Sequence, residues 1–182
     1  DTIRIDAKNM IFTDLRINGK EVAFKKTSTH LLLFEGFKKG KNTLTFNYSA
    51  TPKQTLYFIG EGDDLQIWTQ GQGRYTSHWL PSFDDENEKV IFNTTITFAS
   101  EFEVVSNGVL TNKSNKNEST VWEYQMPHPM SSYLMMLAIG KFEKQTLKTS
   151  SGTPLELYIM PEDAAKFEPT YRYSNQIFDF FE

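Results

Sequence analysis

Apolar residues recur at every second position along most of this chain. Ile3 and Ile5 alternate with polar neighbours, the pattern of a half-buried strand. Met10 to Ile17 is a second run and stops at Asn18-Gly19, a dipeptide that favours a two-residue hairpin turn because both positions tolerate positive φ. Val22 to Phe24 is then the expected return strand. Leu31 to Phe34 is continuously apolar, which predicts a strand buried on both faces. Leu44, Phe46 and Tyr48 alternate again. Further on, Val90, Phe92, Thr94, Ile96 and Phe98 share one face of a long predicted strand. Asn107-Gly108 predicts a hairpin between Phe102–Ser106 and Val109–Thr111. The polar stretch 112–119 predicts an exposed loop. Thr120 to Met126 is a strand with Trp122 and Tyr124 on one face, stopped by Pro127 and Pro129. Tyr133 to Ile139 predicts a buried strand, and Leu155, Leu157 and Ile159 alternate in another.

The period changes near the end. Pro161-Glu162-Asp163 has the proline and the acids that suit a helix start. Thr170 is a candidate cap for a second helix, in which Tyr173, Ile177 and Phe180/Phe181 follow a 3.6-residue period. No glycine, proline or basic last turn follows Phe181, and no Met or leader precedes Asp1. This pattern is read as an excised piece of a longer chain, and compartment is left open.

Composition narrows the chemistry. The 182 residues contain no cysteine, which excludes disulfides and Cys-ligated zinc. Nineteen basic against 23 acidic side chains leave a net charge of −4, a poor match to a nucleic-acid binder that must neutralise phosphates. The longest apolar run, Tyr133 to Ile139, is far short of the roughly 20 residues of a membrane-spanning helix. His30, His78 and His128 lie about 50 residues apart, so no His-x-x-x-His pair exists and no metal site is expected in these residues. Neither a phosphate-binding glycine loop nor a Gly-x-Ser-x-Gly elbow is present. Asp84, Asp85, Glu86 and Glu88 cluster after Pro81, and a solvated turn tied by Asp hydrogen bonds is favoured there over a Ca²⁺ loop. Four Asn-x-Ser/Thr triplets, at Asn47, Asn93, Asn112 and Asn117, carry little weight alone.

The segment from Ile67 to Phe83 is the least ordinary. It mixes Gln70 and Gln72 with Gly71, Gly73, Trp68 and Trp79. A carboxamide both donates and accepts hydrogen bonds, and flanking glycines let a ligand approach the backbone. A ligand-reading loop and an ordinary glycine-rich loop over core aromatics both fit.

Thr69-Gln70-Gly71-Gln72 followed by Leu80-Pro81-Ser82-Phe83-Asp84 resembles the signature of the N-terminal domain of the zinc aminopeptidases related to aminopeptidase N and leukotriene hydrolase, the gluzincin aminopeptidases. Ser131-Ser132-Tyr133-Leu134, running on to Ala138-Ile139-Gly140-Lys141-Phe142, is similar to that family's Ser-x-Tyr-Leu strand. Ile5-Asp6-Ala7-Lys8 and Ile17-Asn18-Gly19-Lys20-Glu21-Val22 resemble the opening strands of the leukotriene-hydrolase branch. This chain has Ser77-His78, Ser82 and Asp85 where the family often has Arg, Cys and Pro.

The resemblance implies that Gln72 binds the free N-terminal residue of a peptide substrate, that Gln70 supports the loop beside it, and that Asp84 holds the loop in place. It implies zinc in the parent enzyme, bound by a His-Glu-x-x-His helix of a catalytic domain absent from these residues. No catalytic or metal-binding residue is expected in this fragment. Pattern and resemblance together predict a mainly β fold of saddle-like packed antiparallel or mixed sheets, sandwich-like, with short C-terminal helices. Residues 1–160 would form the β domain, and 161–182 would lead into the catalytic domain, the partner of the same chain. An alternative is a stand-alone β-sandwich for carbohydrate binding or adhesion, with Trp68 and Trp79 stacking on sugars and Gln70, Gln72 and Asp84 reading hydroxyls.

Overall fold

The computed structural model describes residues 2–182. Seventeen strands follow in order: β1 Ile3–Asp6, β2 Ile11–Ile17, β3 Lys20–Glu21, β4 Phe24–Lys26, β5 His30–Leu33, β6 Leu44–Ser49, β7 Leu56–Ile59, β8 Gln66–Thr69, β9 Lys89–Val90, β10 Thr94–Ala99, β11 Glu103–Ser106, β12 Val109–Lys116, β13 Ser119–Gln125, β14 Met130–Ser131, β15 Leu137–Gly140, β16 Glu143–Lys148 and β17 Pro154–Ile159. Two helices close the chain, α1 Ala164–Tyr171 and α2 Ser174–Phe181. Every strand pairing among the described residues is antiparallel.

Thirteen of the strands build two packed pairs of sheets, each with its own core, while β14 pairs with β9 and β16 with β17 in two-stranded sheets. In the first, the sheet β1-β5-β4 faces the sheet β3-β2-β6. Ile5 on β1 lies opposite Leu31 on β5, and both side chains enter the core with Leu33, Phe12 and Ile17. In the second, the sheet β11-β15-β8-β7 faces the sheet β10-β13-β12 around Ile67, Val104, Trp122, Leu137 and Ile139. The Tyr124 hydroxyl crosses between these two sheets and donates to the Val104 carbonyl at 2.6 Å. Burial pushes that phenol up to about 12. Mainly β architecture with short C-terminal helices is therefore the fold.

Asn18-Gly19 turns β2 into β3 with φ of 53° and 80°, as the dipeptide predicts. The return strand is Lys20–Glu21 and not Val22–Phe24, because Phe24 already belongs to the other sheet. β5 is buried on one face only: Leu31 and Leu33 are inside while Leu32 is half-buried. The long strand expected from Val90 to Phe98 is split into β9 and β10, which join different sheets. Asn107-Gly108 does not close a hairpin, since β11 pairs with β15 and β12 with β13. The polar stretch 112–119 is mostly strand: β12 runs to Lys116 with all eight residues exposed and turns at Asn117. The run from Tyr133 to Ile139 is a single 3-10 turn followed by β15, not one strand.

Pro161–Asp163 forms a 3-10 turn that opens into α1. Thr170 lies inside α1, where its hydroxyl donates to the Lys166 carbonyl, and does not cap α2. The loop between β16 and β17 grips the far end of α2. The Ser150 amide and hydroxyl both donate to Asp179 at 2.7 Å, and the Ser151 and Thr153 hydroxyls donate to Glu182. These donors hold both carboxyls below the usual carboxylate range.

Candidate functional site: the loop from Gln70 to Asp84

The end of β8 delivers this loop. The Thr69 hydroxyl accepts the Leu137 amide at 3.0 Å, which fixes β8 against β15. The next residue turns away, and the Gln70 amide donates to the Thr55 carbonyl at 2.7 Å. Gly71 is buried against the turn at Ser132–Leu134, and an added Cβ would sit 2.6 Å from the Tyr133 carbonyl oxygen. Only glycine permits that approach. Gln70 and Gln72 flank it with exposed side chains.

The far end of the loop is anchored by Asp84, whose side chain is 6% exposed. Its carboxylate accepts the Ser77 amide at 3.3 Å, the Ser77 hydroxyl, the Ser82 hydroxyl at 2.9 Å and the Ser132 hydroxyl at 3.4 Å, with Lys8 Nζ at 3.8 Å. The backbone adds more ties. The Asp6 and Ser82 amides donate to each other's carbonyls, and the Lys8 amide donates to the Ser77 carbonyl. The Asp84 amide donates to the Asp6 side chain at 3.0 Å. Asp84 thus joins the end of β1, the loop and the Ser132 turn, and these segments come from both halves of the fold. Asp85 accepts from Asn87 in a local turn, which lowers its pKa. Among the described residues no three His, Asp or Glu side chains converge on a point. The residues present do not fit a zinc site.

Gln70 and Gln72 line a cleft of about 350 Å³ with Gln54, Thr55, Tyr57 and Tyr75. Gln54, Thr55 and Tyr57 lie outside the 67–83 segment and carry no motif, so nothing in the sequence marks them. Thr55 adopts φ 76° with a fully buried side chain, a costly conformation for a β-branched residue. Its hydroxyl donates to the Tyr75 carbonyl at 2.9 Å, which holds it there. Backbone strain of this kind gathers at functional sites. Trp68, which the carbohydrate-binding alternative would stack on a sugar, packs on Tyr57 with ring centroids 4.9 Å apart. Trp79 packs against the second core.

Gln54 Nε2 donates to His78 Nε2 at 2.8 Å, so that ring nitrogen is the unprotonated one. Burial, and then the nearby Lys8 charge, lower the His78 pKa below 6.5, with Asp84 opposing. A ring kept neutral in the fold takes up its proton later than the unfolded chain does. This part of the stability is complete above pH 6.5 and is lost as pH falls from there through the lowered folded value. The melting temperature of the wild-type chain should therefore drop more between pH 7.5 and 5.5 than that of His78→Gln. Equal drops would show that His78 does not titrate in this way. His30 pairs with Asp6 at 3.1 Å, and His128 is exposed, so the three histidines stay apart.

The comparisons with known proteins agree on one family. A family model described as the Peptidase M1 N-terminal domain matches residues 1–134. The chain belongs to the Peptidase M1 N-terminal domain family. It is 26% identical over 146 residues to the leucyl aminopeptidase of Saccharolobus solfataricus, covering 79% of this chain and 19% of that protein. It is 31% identical over 104 residues to human glutamyl aminopeptidase, covering 57% of this chain and 11% of that one. The chain thus spans less than a fifth of the length of these relatives. Among solved structures it resembles Legionella pneumophila aminopeptidase A in complex with aspartic acid, with a TM-score of 0.78, 19% identity and coverage of 91% of this chain and 20% of that one. It also resembles the M1 zinc metallopeptidase of Deinococcus radiodurans, with a TM-score of 0.72, 17% identity and coverage of 86% and 38%. At these identities the structural likeness speaks for the fold alone.

Proposed function

We propose that this M1 domain is the N-terminal part of a zinc-dependent aminopeptidase and supplies one wall of its substrate cleft. In this reading residues 1–160 are the β domain, and 161–182 lead into the catalytic domain of the same chain. That domain holds the zinc. This chain alone turns over no peptide.

The observation that carries the reading is the pair of exposed carboxamides, Gln70 and Gln72, on a loop locked at one end by Gly71 and at the other by Asp84. Gln72 accepts a hydrogen bond from the substrate's α-ammonium through its carboxamide oxygen, and Gln70 lies beside it. A carboxamide suits this task on a wall, because it binds a cation without bringing a charge that must itself be desolvated. Support for a covering domain comes from α2. Its Tyr173, Ile177, Phe180 and Phe181 are 53–83% exposed, an apolar face unusual for a free surface. Near the loop, Tyr75 and Phe83 are exposed as well.

In the full-length enzyme, Gln72→Ala should lower kcat/KM about tenfold or more, the worth of a hydrogen bond to a charged group, mostly through KM. The melting temperature should stay within about 2 °C of wild type, because an exposed side chain contributes little to folding. Unchanged kcat/KM across several aminoacyl substrates would refute the role.

A further inference from the structure

Gln72 hangs between two fixed points. On one side Gly71 is packed against the Tyr133 carbonyl. On the other, the chain passes through Gly73, at φ 93°, and reaches Arg74. That positive φ is open to glycine and strained for other residues, so Gly73 makes the bend but has no side chain to hold it. What holds the second point comes from far away in sequence. Lys8, just past the end of β1, donates through Nζ to the Arg74 carbonyl at 2.7 Å. Among the described residues no other donor reaches that oxygen.

Lys8 is built into this place along its whole length. Its backbone amide donates to the Ser77 carbonyl, which lays residue 8 alongside the loop. Its ammonium lies 5.3 Å from the centroid of the Tyr75 ring and 3.8 Å from the Asp84 carboxylate. The side chain is 25% exposed, so the charge is largely withdrawn from water, and the carboxylate and the ring face offset that loss. Carbonyl, ring and carboxylate approach from different residues and leave the ammonium one position. The clamp acts on the backbone two residues from Gln72, not on a ligand.

We propose that Lys8 is a positioning residue for substrate binding: its ammonium fixes the Arg74 carbonyl and so holds Gln72 where its carboxamide meets the substrate's α-ammonium. The inference rests on the proposed role of Gln72. A lysine near a cationic substrate end would by itself repel it. Paired with Asp84, it presents little net positive charge in that direction. Gln72 grips the α-ammonium in the ground state and the transition state alike. Loss of its alignment therefore shows in KM and not in kcat. A lysine that only stabilised the fold would move neither constant in an enzyme that stays folded.

The test is a double-mutant cycle in the full-length enzyme with an aminoacyl-coumarin substrate, each variant assayed where its melting curve shows it folded. Lys8→Met keeps an apolar stem and removes the donor. It should raise KM about fivefold and leave kcat within about twofold of wild type. In the Gln72→Ala background the same change should move KM by less than about twofold, because the group that Lys8 positions is gone. Lys8→Gln is the second variant, used if Lys8→Met melts too low to assay. Its amide still faces Asp84 but, one bond shorter than lysine, falls short of the Arg74 carbonyl and should raise KM likewise. An unchanged KM in the folded Lys8 variant overturns the proposal. So does an equal rise in KM with and without Gln72. In both cases the role of Gln72 stands if Gln72→Ala alone raises KM. If Gln72→Ala leaves KM and kcat/KM unchanged, the role of Gln72 falls and that of Lys8 with it.

Discussion

Asp84→Ala should destabilise the chain by about 3 kcal/mol, the largest loss expected from any single change in the loop. The estimate follows from what the carboxylate holds. Its partners are the Ser77 amide, three serine hydroxyls and, at longer range, Lys8. Truncation leaves the buried Ser77 amide without an acceptor, and Ser77 is fully buried. An unsatisfied buried donor costs about 1–3 kcal/mol, and hydrogen bonds to charged groups are worth about 1.5–3 kcal/mol. For a chain of this size about 2–4 °C of melting temperature accompanies each kcal/mol, so a fall of about 6–12 °C is expected. Asp84→Asn should lose less, since the oxygen still accepts one hydroxyl while the new amide faces donors. The measurement is thermal or urea unfolding of the three proteins. A melting temperature for Asp84→Ala within 2 °C of wild type would mean that the backbone ties to Asp6 and Lys8 hold the loop without it.

Gly71→Ala should cost more activity than any other single change in the loop. An added Cβ meets the Tyr133 carbonyl oxygen at 2.6 Å and the Thr76 hydroxyl at 3.4 Å. The first contact is with backbone and cannot be relieved by a side-chain rotation. Either the loop or the Ser132–Leu134 turn must move, at a cost of about 1–3 kcal/mol for overpacking. Gln70 and Gln72 flank the displaced residue. A misplacement of about 1 Å in a positioning group can cost about a hundredfold in rate, so kcat/KM of the full-length enzyme should fall by about that factor. The loss should exceed that of Gln72→Ala, which removes one amide and leaves the wall in place. Kinetics equal to wild type would show that the close approach of Gly71 does not set the loop's position.

These two residues also show what could be read from the chain in advance. Gly71 stands between two amides, and Asp84 lies three residues after Pro81. Both are local signals, and the family motif strengthens them. The Asn18-Gly19 hairpin was legible for the same reason, because the strands it joins are neighbours in sequence and in space. Asn107-Gly108 carries an equal local signal, yet its flanking strands go to different sheets. Turn chemistry says that the chain reverses, not which strand it meets. The later part of β12, from Asn112 to Lys116, was hidden by its environment. A strand with all eight residues exposed has no apolar period to reveal it. The cleft was hidden by distance. Thr55 and Tyr75 are 20 residues apart, Gln54 and His78 are 24 apart, and Asp84 reaches Ser132 across 48. No spacing rule connects such pairs, so only the fold brings Gln54 and Tyr57 beside Gln72.

The grip of the β16–β17 loop on α2 has a consequence for assembly. At 3.6 residues per turn, Asp179 and Glu182 project from the side of the helix away from Tyr173, Ile177 and Phe181. With both carboxylates seated on Ser150, Ser151 and Thr153, α2 cannot roll about its axis without breaking those bonds. Its aromatic face therefore has a fixed azimuth before any domain meets it. Docking then loses little rotational entropy at this contact, and a surface approaching at the wrong angle finds no freedom in the helix to accommodate it.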